Sequence, residues 1–403
     1  MILALPTAHP HLSQAFDLMT TTGLFKAVAS SDAEAPNCYV VAVADIADFA
    51  RIETDGYFKR QFDEFASKYG ANRDVALVID ASTEGWPFQI PYFSALHDAL
   101  AGRHIDAHRV RIITTNHDLP PQYDYWAASN VKDAIKFVVY DYWCYKMGSL
   151  TAGELIRLGS LPTYIADQNV RRTKKLITLN RIFKAHRIAV VLLLLKHNHL
   201  AGSLVSFMPD SAPLLPEERQ GMKAYLERLN WTTVNELLPD FDRLADMVPL
   251  VLDEDSSSPY LRFVFGSAFD ELYAQVAFTV ACESDFGVAG VDRVTEKPFK
   301  AIANCCPFIL VGQPRQVERL RKLGFEVESY FCSDYDLIED ADMRLRCVLE
   351  LVKSLCDTDM DELNERRTSC RDSNLRDLER LIQYGSSERV MSLARMMLPQ
   401  LCC

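Results

Sequence analysis

The sequence predicts an α/β chain: two Rossmann-like domains facing a cleft, followed by C-terminal helices. Three observations carry this. Short β-branched apolar runs alternate with segments of helical period in both halves of the chain. The 403 residues suffice for two or three domains at about 100–200 residues each. Hydrophobic residues make up 49% and charged residues 24% of the chain, the balance of a protein with a packed core.

In the first half, Tyr39–Ala44 (YVVAVA) reads as a strand. Residues 56–69 space Tyr57, Phe58, Phe62, Phe65 and Tyr69 as one helical face. Asp74–Ile79 (DVALVI) is a second strand, stopping at Asp80. Residues 90–103 read as a helix, Arg109–Thr115 as a third strand and Ala134–Tyr140 as a fourth. Strands separated by helices imply a parallel sheet with right-handed crossovers. Residues 149–174, with Gly153, Gly159 and Pro162, read as a junction. Beyond it come the strand Leu176–Leu179, a helix from Ala185, a short strand Leu204–Phe207 and a helix over 216–231. Then follow the strands Val276–Cys282 and Pro307–Gly312, a helix over 314–323 and a strand Phe325–Phe331. The last 60 residues are helical and charge-balanced. This divides the chain into 1–165, 166–355 and 356–403.

A formal charge of −12 excludes a polybasic nucleic-acid coat and leaves only a local basic groove for such a partner. The longest apolar run, Ile188–Leu195, is far below the roughly 20 residues that span a bilayer, so no membrane span is expected. The N-terminal stretch lacks the basic flank and long apolar core of a signal peptide. The eleven cysteines include no C-x-x-C pair and read as reduced thiols, which places the expected location in the cytoplasm. Oligomeric state does not follow.

The usual glycine-rich nucleotide, Walker, zinc-protease and serine-hydrolase signatures are missing. All nine histidines lie at or before His199, which excludes a triad with its histidine in the second half. Arg171–Arg187 (RRTKKLITLNRIFKAHR) holds seven Lys/Arg and no acid. It reads either as a phosphate-facing patch at a strand-to-helix transition or as a solvated basic face. In Cys282–Gly312 a strand ends in Glu283, a two-glycine loop follows, and Thr295, Glu296 and Lys297 sit at a helix start with Thr295 as N-cap. There Lys297 can meet a diphosphate and Glu296 can bind hydroxyls; the plainer reading is a capped, charged helix start.

The run from Val280 to Asp336 resembles the donor half of fucosyltransferase-like glycosyltransferases of the GT-B type. The matching residues are Glu283, V-T-E-K at Val294–Lys297, P-F-I-L-V-G at Pro307–Gly312, L-R-K-L-G-F at Leu320–Phe325 and S-D-Y-D at Ser333–Asp336. L-N-R-x-x-x-x-H-R (Leu179–Arg187) and D-A-S-T-E-G (Asp80–Gly85) also resemble viral and bacterial relatives of that group. The resemblance implies a GT-B-like fold, with an acceptor-side N-terminal domain and a nucleotide-sugar-binding second domain. It puts Lys297 at phosphate, Glu296 at ribose or sugar, Arg181 or Arg187 at the diphosphate and Glu283 near the sugar, with Thr295 beside them. Fucose as the donor does not follow, because the Asn-Ser pattern upstream is missing.

Glycosyl transfer needs cations on the leaving diphosphate and a base on the acceptor hydroxyl. Asp80 or Glu84, after a first-domain strand, is the expected base. Trp86, His117 and Trp126, in loops after first-domain strands, are expected at the acceptor; Trp86 and Trp126, with the neighbouring Tyr123 and Tyr125, read either as rings that stack on a sugar or base or as inter-domain packing. Several D-x-D triplets occur, among them Asp240/Asp242, Asp253/Asp255, Asp334/Asp336, Asp340/Asp342 and Asp357/Asp359. None follows a buried strand end of the first domain, so no metal and no bound cofactor beyond the nucleotide-sugar are expected. The reading is a glycosyltransferase acting on a glycan or on a hydroxylated base of viral DNA. The alternative is a non-catalytic sugar-nucleotide or nucleic-acid binding protein on the same fold.

Overall fold

The alternating pattern builds two separate parallel sheets. A computed structural model describes residues 2–5, 24–29, 36–43, 46–82, 86–131, 133–166, 170–180, 182–207, 214–250, 252, 267–327 and 333–401. They divide into unit 1 (Met1–Lys146, Val288–Arg293 and Tyr384–Cys403) and unit 2 (Met147–Gly287 and Val294–Gln383).

Unit 1 holds strands β1 (Ile2–Leu5), β2 (Lys26–Ala29), β3 (Cys38–Ala42), β4 (Ala76–Ala81), β5 (Val110–Thr114) and β6 (Lys136–Val139). Their order is β2-β1-β3-β4-β5-β6, and every pair is parallel. All residues of β4 and β5 are buried, as expected of central strands covered on both faces. The helix Gly56–Tyr69 starts at Asp55, whose side chain accepts the Tyr57 N–H. It turns Phe58, Phe62 and Phe65 inward. These meet Leu77, Ile79 and Ile112 of the sheet, with Phe93, Leu96 and Tyr123 from the helices Ile90–Ala101 and Leu119–Asn130. Each fully buried ring of this kind contributes roughly 2–3 kcal/mol.

Unit 2 holds β7 (Lys174–Asn180), β8 (Leu204–Phe207), β9 (Val276–Cys282) and β10 (Phe308–Val311). They are ordered β10-β9-β7-β8 and all parallel. The helix Ala185–Lys196 is apolar almost all round, and its first eleven residues are buried, the pattern of a core helix rather than a surface one. The helix Ala341–Asp357 packs on it with Val348, Leu349 and Val352. The chain leaves β7 towards β8 on one side and later returns to β9 on the other. The strand order therefore reverses between β7 and β9. In open α/β sheets, ligand crevices lie outside the carboxyl ends of the strands at such a reversal.

The α/β class is therefore as the sequence predicts, with two differences in detail. Residues 149–158, expected in a junction, continue the helix Tyr142–Leu158. No strand forms over Phe325–Val327, and the rest of the expected strand Phe325–Phe331 lies outside the described residues. The C-terminal helices are Met360–Ser369, Arg371–Tyr384 and Ser387–Leu401. Among the described residues, no helix is long and apolar enough to cross a membrane.

Candidate functional site

At the reversal in unit 2, β9 ends at Cys282 and hands the chain to Glu283, which is completely buried. Its carboxylate accepts the Thr295 N–H (3.0 Å), the Thr295 hydroxyl and the Ser284 N–H (3.3 Å). Burial pushes the Glu283 carboxyl above its ordinary range, and the nearby Lys297 charge and the Thr295 bonds only partly oppose this. Thr295 stands at the N-cap position of the helix Glu296–Ala303, as expected. It makes no capping bond, because its hydroxyl is committed to Glu283.

Lys297 occupies the first turn of this helix. Its Nζ lies 2.9 Å from Glu296 Oε1, 3.2 Å from Thr295 Oγ1 and 3.3 Å from Ser284 Oγ. Its side chain keeps 20% of its surface exposed, so a ligand can reach it. Burial pushes the Glu296 carboxyl up, but the Lys297 charge and hydrogen bond outweigh this and hold it below its ordinary value.

Three more side chains arrive from the start of the helix Ala185–Lys196, which follows β7. Lys184 Nζ donates to the Ser284 carbonyl. His186 Nε2 and Arg187 Nη2 both donate to the Glu283 carbonyl, each at 2.9 Å. A carbonyl only accepts, so the His186 proton is on Nε2. Burial holds that imidazole well below its ordinary pKa, hence neutral, and its ring stacks on Phe286 at 5.0 Å. Burial also lowers the Arg187 pKa, yet a guanidinium stays charged. Among the described residues, two buried polar atoms here have no hydrogen-bond partner: Arg187 Nε, and Oδ1 of Asn180 at the end of β7. The arrangement can neutralise an anion with Lys297 and Arg187 and accept hydroxyl hydrogens at Glu296. Arg181 lies outside the described residues, as does Glu84 of unit 1.

In unit 1, Asp80 lies within β4 rather than after it. It is buried and accepts the Ser82 N–H at 3.0 Å. His117 follows β5, is partly exposed, and sets Nε2 3.2 Å from Asp141 Oδ1. Tyr123, Tyr125 and Trp126, expected in loops, are on the helix Leu119–Asn130, where the proline pair Pro120-Pro121 starts a helix instead of ending one. Trp126 packs beside Phe88, His97 and Tyr123 at 5.7–5.8 Å. Trp86 is 39% exposed, and its carbonyl accepts from Asn116 Nδ2.

The described D-x-D triplets are largely engaged in hydrogen bonds and ion pairs of the fold. Asp340 and Asp359 cap helices at Met343 N and Asp361 N. Asp336 accepts the Val317 and Glu318 N–H groups, and Asp342 those of Thr232 and Thr233. Asp357 pairs with Lys353, and Asp242 with Lys223. Asp253 and Asp255 lie outside the described residues.

No protein-family model matches the chain, and no curated protein matches it. Among solved structures it is similar to the N-terminal domain of trehalose-6-phosphate phosphatase from Candida albicans, at 11% identity and a TM-score of 0.47, covering 99% of both chains. It is also similar to a UDP-forming α,α-trehalose-phosphate synthase from Burkholderia xenovorans, at 11% identity and a TM-score of 0.45, covering 96% of this chain and 78% of that one. A third is the glycotransferase of kitacinnamycin, at 11% identity and a TM-score of 0.32, covering 100% and 99%. Similarity at this level assigns neither activity nor substrate to this chain.

Sequence reasoning overlooked Lys184 and His186, although both lie in the basic run it singled out. It also overlooked Asn116, whose neighbours T-T-N-H carried attention only for the histidine.

Proposed function

We propose that the chain is a glycosyltransferase that takes a nucleotide-diphosphate sugar as donor and holds it on unit 2. One observation carries the reading: Lys184, Arg187 and Lys297 gather at the carboxyl ends of β7 and β9, where the strand order reverses. The sequence resemblance to fucosyltransferase-like glycosyltransferases supports it from an independent side. In this reading Lys297 and Arg187, with Arg181, stabilise the negative charge that develops on the leaving diphosphate. Glu296 binds ribose or sugar hydroxyls. Glu283, fully buried, holds Thr295 and the helix start. Asp80, Glu84 and the carboxylate-paired His117 are the unit 1 groups proposed to serve the acceptor hydroxyl, with Trp86 and Trp126 lining its path. The lysine and arginine charges make a metal ion unnecessary for diphosphate departure. The acceptor is a glycan hydroxyl or a hydroxylated base of viral DNA.

The test is nucleotide release from UDP-, GDP-, CMP- and dTDP-sugars, with and without chelator and with each acceptor class. Release from one nucleotide class that a chelator leaves unchanged is the expected result. Tight donor binding with no release under any acceptor would replace the enzyme by a sugar-nucleotide binding protein.

A further inference from the structure

The loop that joins Glu283 to Thr295 leaves unit 2 after Gly287 and returns at Val294. Its middle, Val288–Arg293, belongs to unit 1. Asn116, fully buried just after β5, holds that middle. Its Nδ2 donates to the carbonyls of Trp86 (2.8 Å) and Gly290 (2.9 Å). Its Oδ1 accepts the N–H groups of Asp118 (3.0 Å) and Asp292 (2.9 Å). Two donors and two acceptor positions are all that a carboxamide has, so the side chain is saturated. The His117 N–H adds a bond to the Asp292 carbonyl (2.9 Å), and Gln122 Nε2 one to the Gly290 carbonyl (3.2 Å). Gly290 has φ +77°, and a Cβ there would come within 2.6 Å of Gln122 Nε2. Only glycine allows this approach without strain.

We propose that Asn116 is a positioning residue: by gripping residues 288–293 it keeps the Glu283–Thr295 pair closed and so sets Lys297 at the start of its helix. The grip itself is independent of the ligand; that it tunes donor binding rests on the function proposed above. The loop's two stems are bonded to each other through Thr295 N and Oγ1, and its tip is bonded at three carbonyls or N–H groups. Releasing the tip restores conformational freedom to the intervening residues, and that entropy opposes the stem bonds.

The experiment uses the full chain and the variants Asn116→Ala and Asn116→Asp. Asn116→Asp keeps the acceptors and loses both donors. Amide hydrogen exchange at Thr295 is expected to be about tenfold faster in Asn116→Ala, a difference of one hydrogen bond, and intermediate in Asn116→Asp. Core amides of β4 and β9 should be unchanged. The Glu283 carboxyl, followed by carbon NMR on labelled glutamate, should titrate above the ordinary glutamate range in the parent and shift further up in Asn116→Ala, which loses the Thr295 bonds that oppose the burial shift. Overall loss of stability would instead speed the core amides of β4 and β9 together with Thr295. If Asn116→Ala does not fold, Gln122→Ala, which removes one grip, is expected to speed Thr295 exchange several-fold. Unchanged Thr295 exchange and an unchanged Glu283 titration in a folded variant would overturn the proposal. UDP and GDP affinities of the same proteins separate it from the functional reading. Faster exchange with weaker nucleotide binding supports both. Faster exchange in a chain whose parent binds neither nucleotide upholds the grip and removes the donor site.

Discussion

At the scale of single residues, the site is a balance between burial and pairing. Glu283 has no exposure, and its proton is held more tightly in the folded chain than in the unfolded one. A carboxyl with a raised folded pKa contributes stability below its unfolded pKa, and that contribution is lost as pH rises through the folded value. Glu283→Gln removes this dependence. Urea midpoints of parent and variant, compared from pH 4 upwards, are therefore expected to diverge, with the parent losing ground to the variant as pH rises. Parallel curves would contradict the buried assignment. Thr295→Val tests the partner. It strips a hydroxyl from a buried carboxylate and is expected to cost about 1–3 kcal/mol, read as a lower urea midpoint at neutral pH.

The residues legible beforehand were those whose chemistry follows from chain position. Glu283 stands directly after an apolar run, and T-E-K stands directly before a helical one. Asn116 was not legible, because its partners Gly290 and Asp292 are more than 170 residues away and nothing in T-T-N-H announces them. Asp80 was misplaced by a residue or two. Its strand extends to Ala81 because Asp80 pairs with Ile113 and Ala81 with Thr114 in the neighbouring strand, and register of that kind is a tertiary fact.

At the scale of elements, several acidic residues that resemble metal ligands in sequence act as helix starts. Asp340→Ala removes the acceptor for Met343 N and is expected to cost about 1 kcal/mol, the usual worth of an N-cap. Thermal unfolding with and without Mn²⁺ checks this. A stability loss that Mn²⁺ neither causes nor repairs is expected, whereas a metal-dependent loss would reopen the triplet as a metal site. The helix Arg371–Tyr384 carries a second pH response. Asp377 is buried, accepts the Glu326 N–H, and is pushed up from 3.8 to about 6 by burial, with Glu326 nearby adding to the shift and Arg376 and Arg380 opposing it. Its contribution is present below pH 3.8 and lost as pH rises through about 6. Relative to Asp377→Asn, the parent should lose on the order of 2 kcal/mol between pH 4 and 7, since each tenfold change in proton affinity is worth about 1.4 kcal/mol. Equal pH profiles would contradict this.

Strands β3 to β10 were legible from short apolar, largely β-branched runs, and the helix Gly56–Tyr69 from its aromatic spacing. Strands β1 (ILAL) and β2 (KAVA) were not. Each holds a single β-branched residue, Ile2 or Val28, and they become strands by parallel pairing, β2 with β1 and β1 with β3.

At the scale of the whole molecule, two parallel sheets come from one alternating pattern, and each reverses its strand order once. In unit 1 the reversal lies between β1 and β3, and in unit 2 between β7 and β9. The basic run Arg171–Arg187 was visible in the sequence without its destination. The fold sends its end, from Lys184 to Arg187, onto Glu283 and Ser284 at the second reversal. It spends Arg171 and Lys175 elsewhere, on Asp361 and the Thr358 carbonyl. This division of one charge cluster into a site and a scaffold is what makes unit 2 the donor side in the proposed function.

The most direct test is calorimetric titration of the parent and of Lys297→Ala with UDP and GDP in the presence of a chelator. Lys297 is a partly exposed cation of the cluster, and a charge-assisted contact to phosphate is worth about 1.5–3 kcal/mol. The account predicts saturable binding of one diphosphate by the parent and at least roughly tenfold weaker binding by the folded variant. No binding of either diphosphate to the parent, or equal affinity in both proteins, would contradict it.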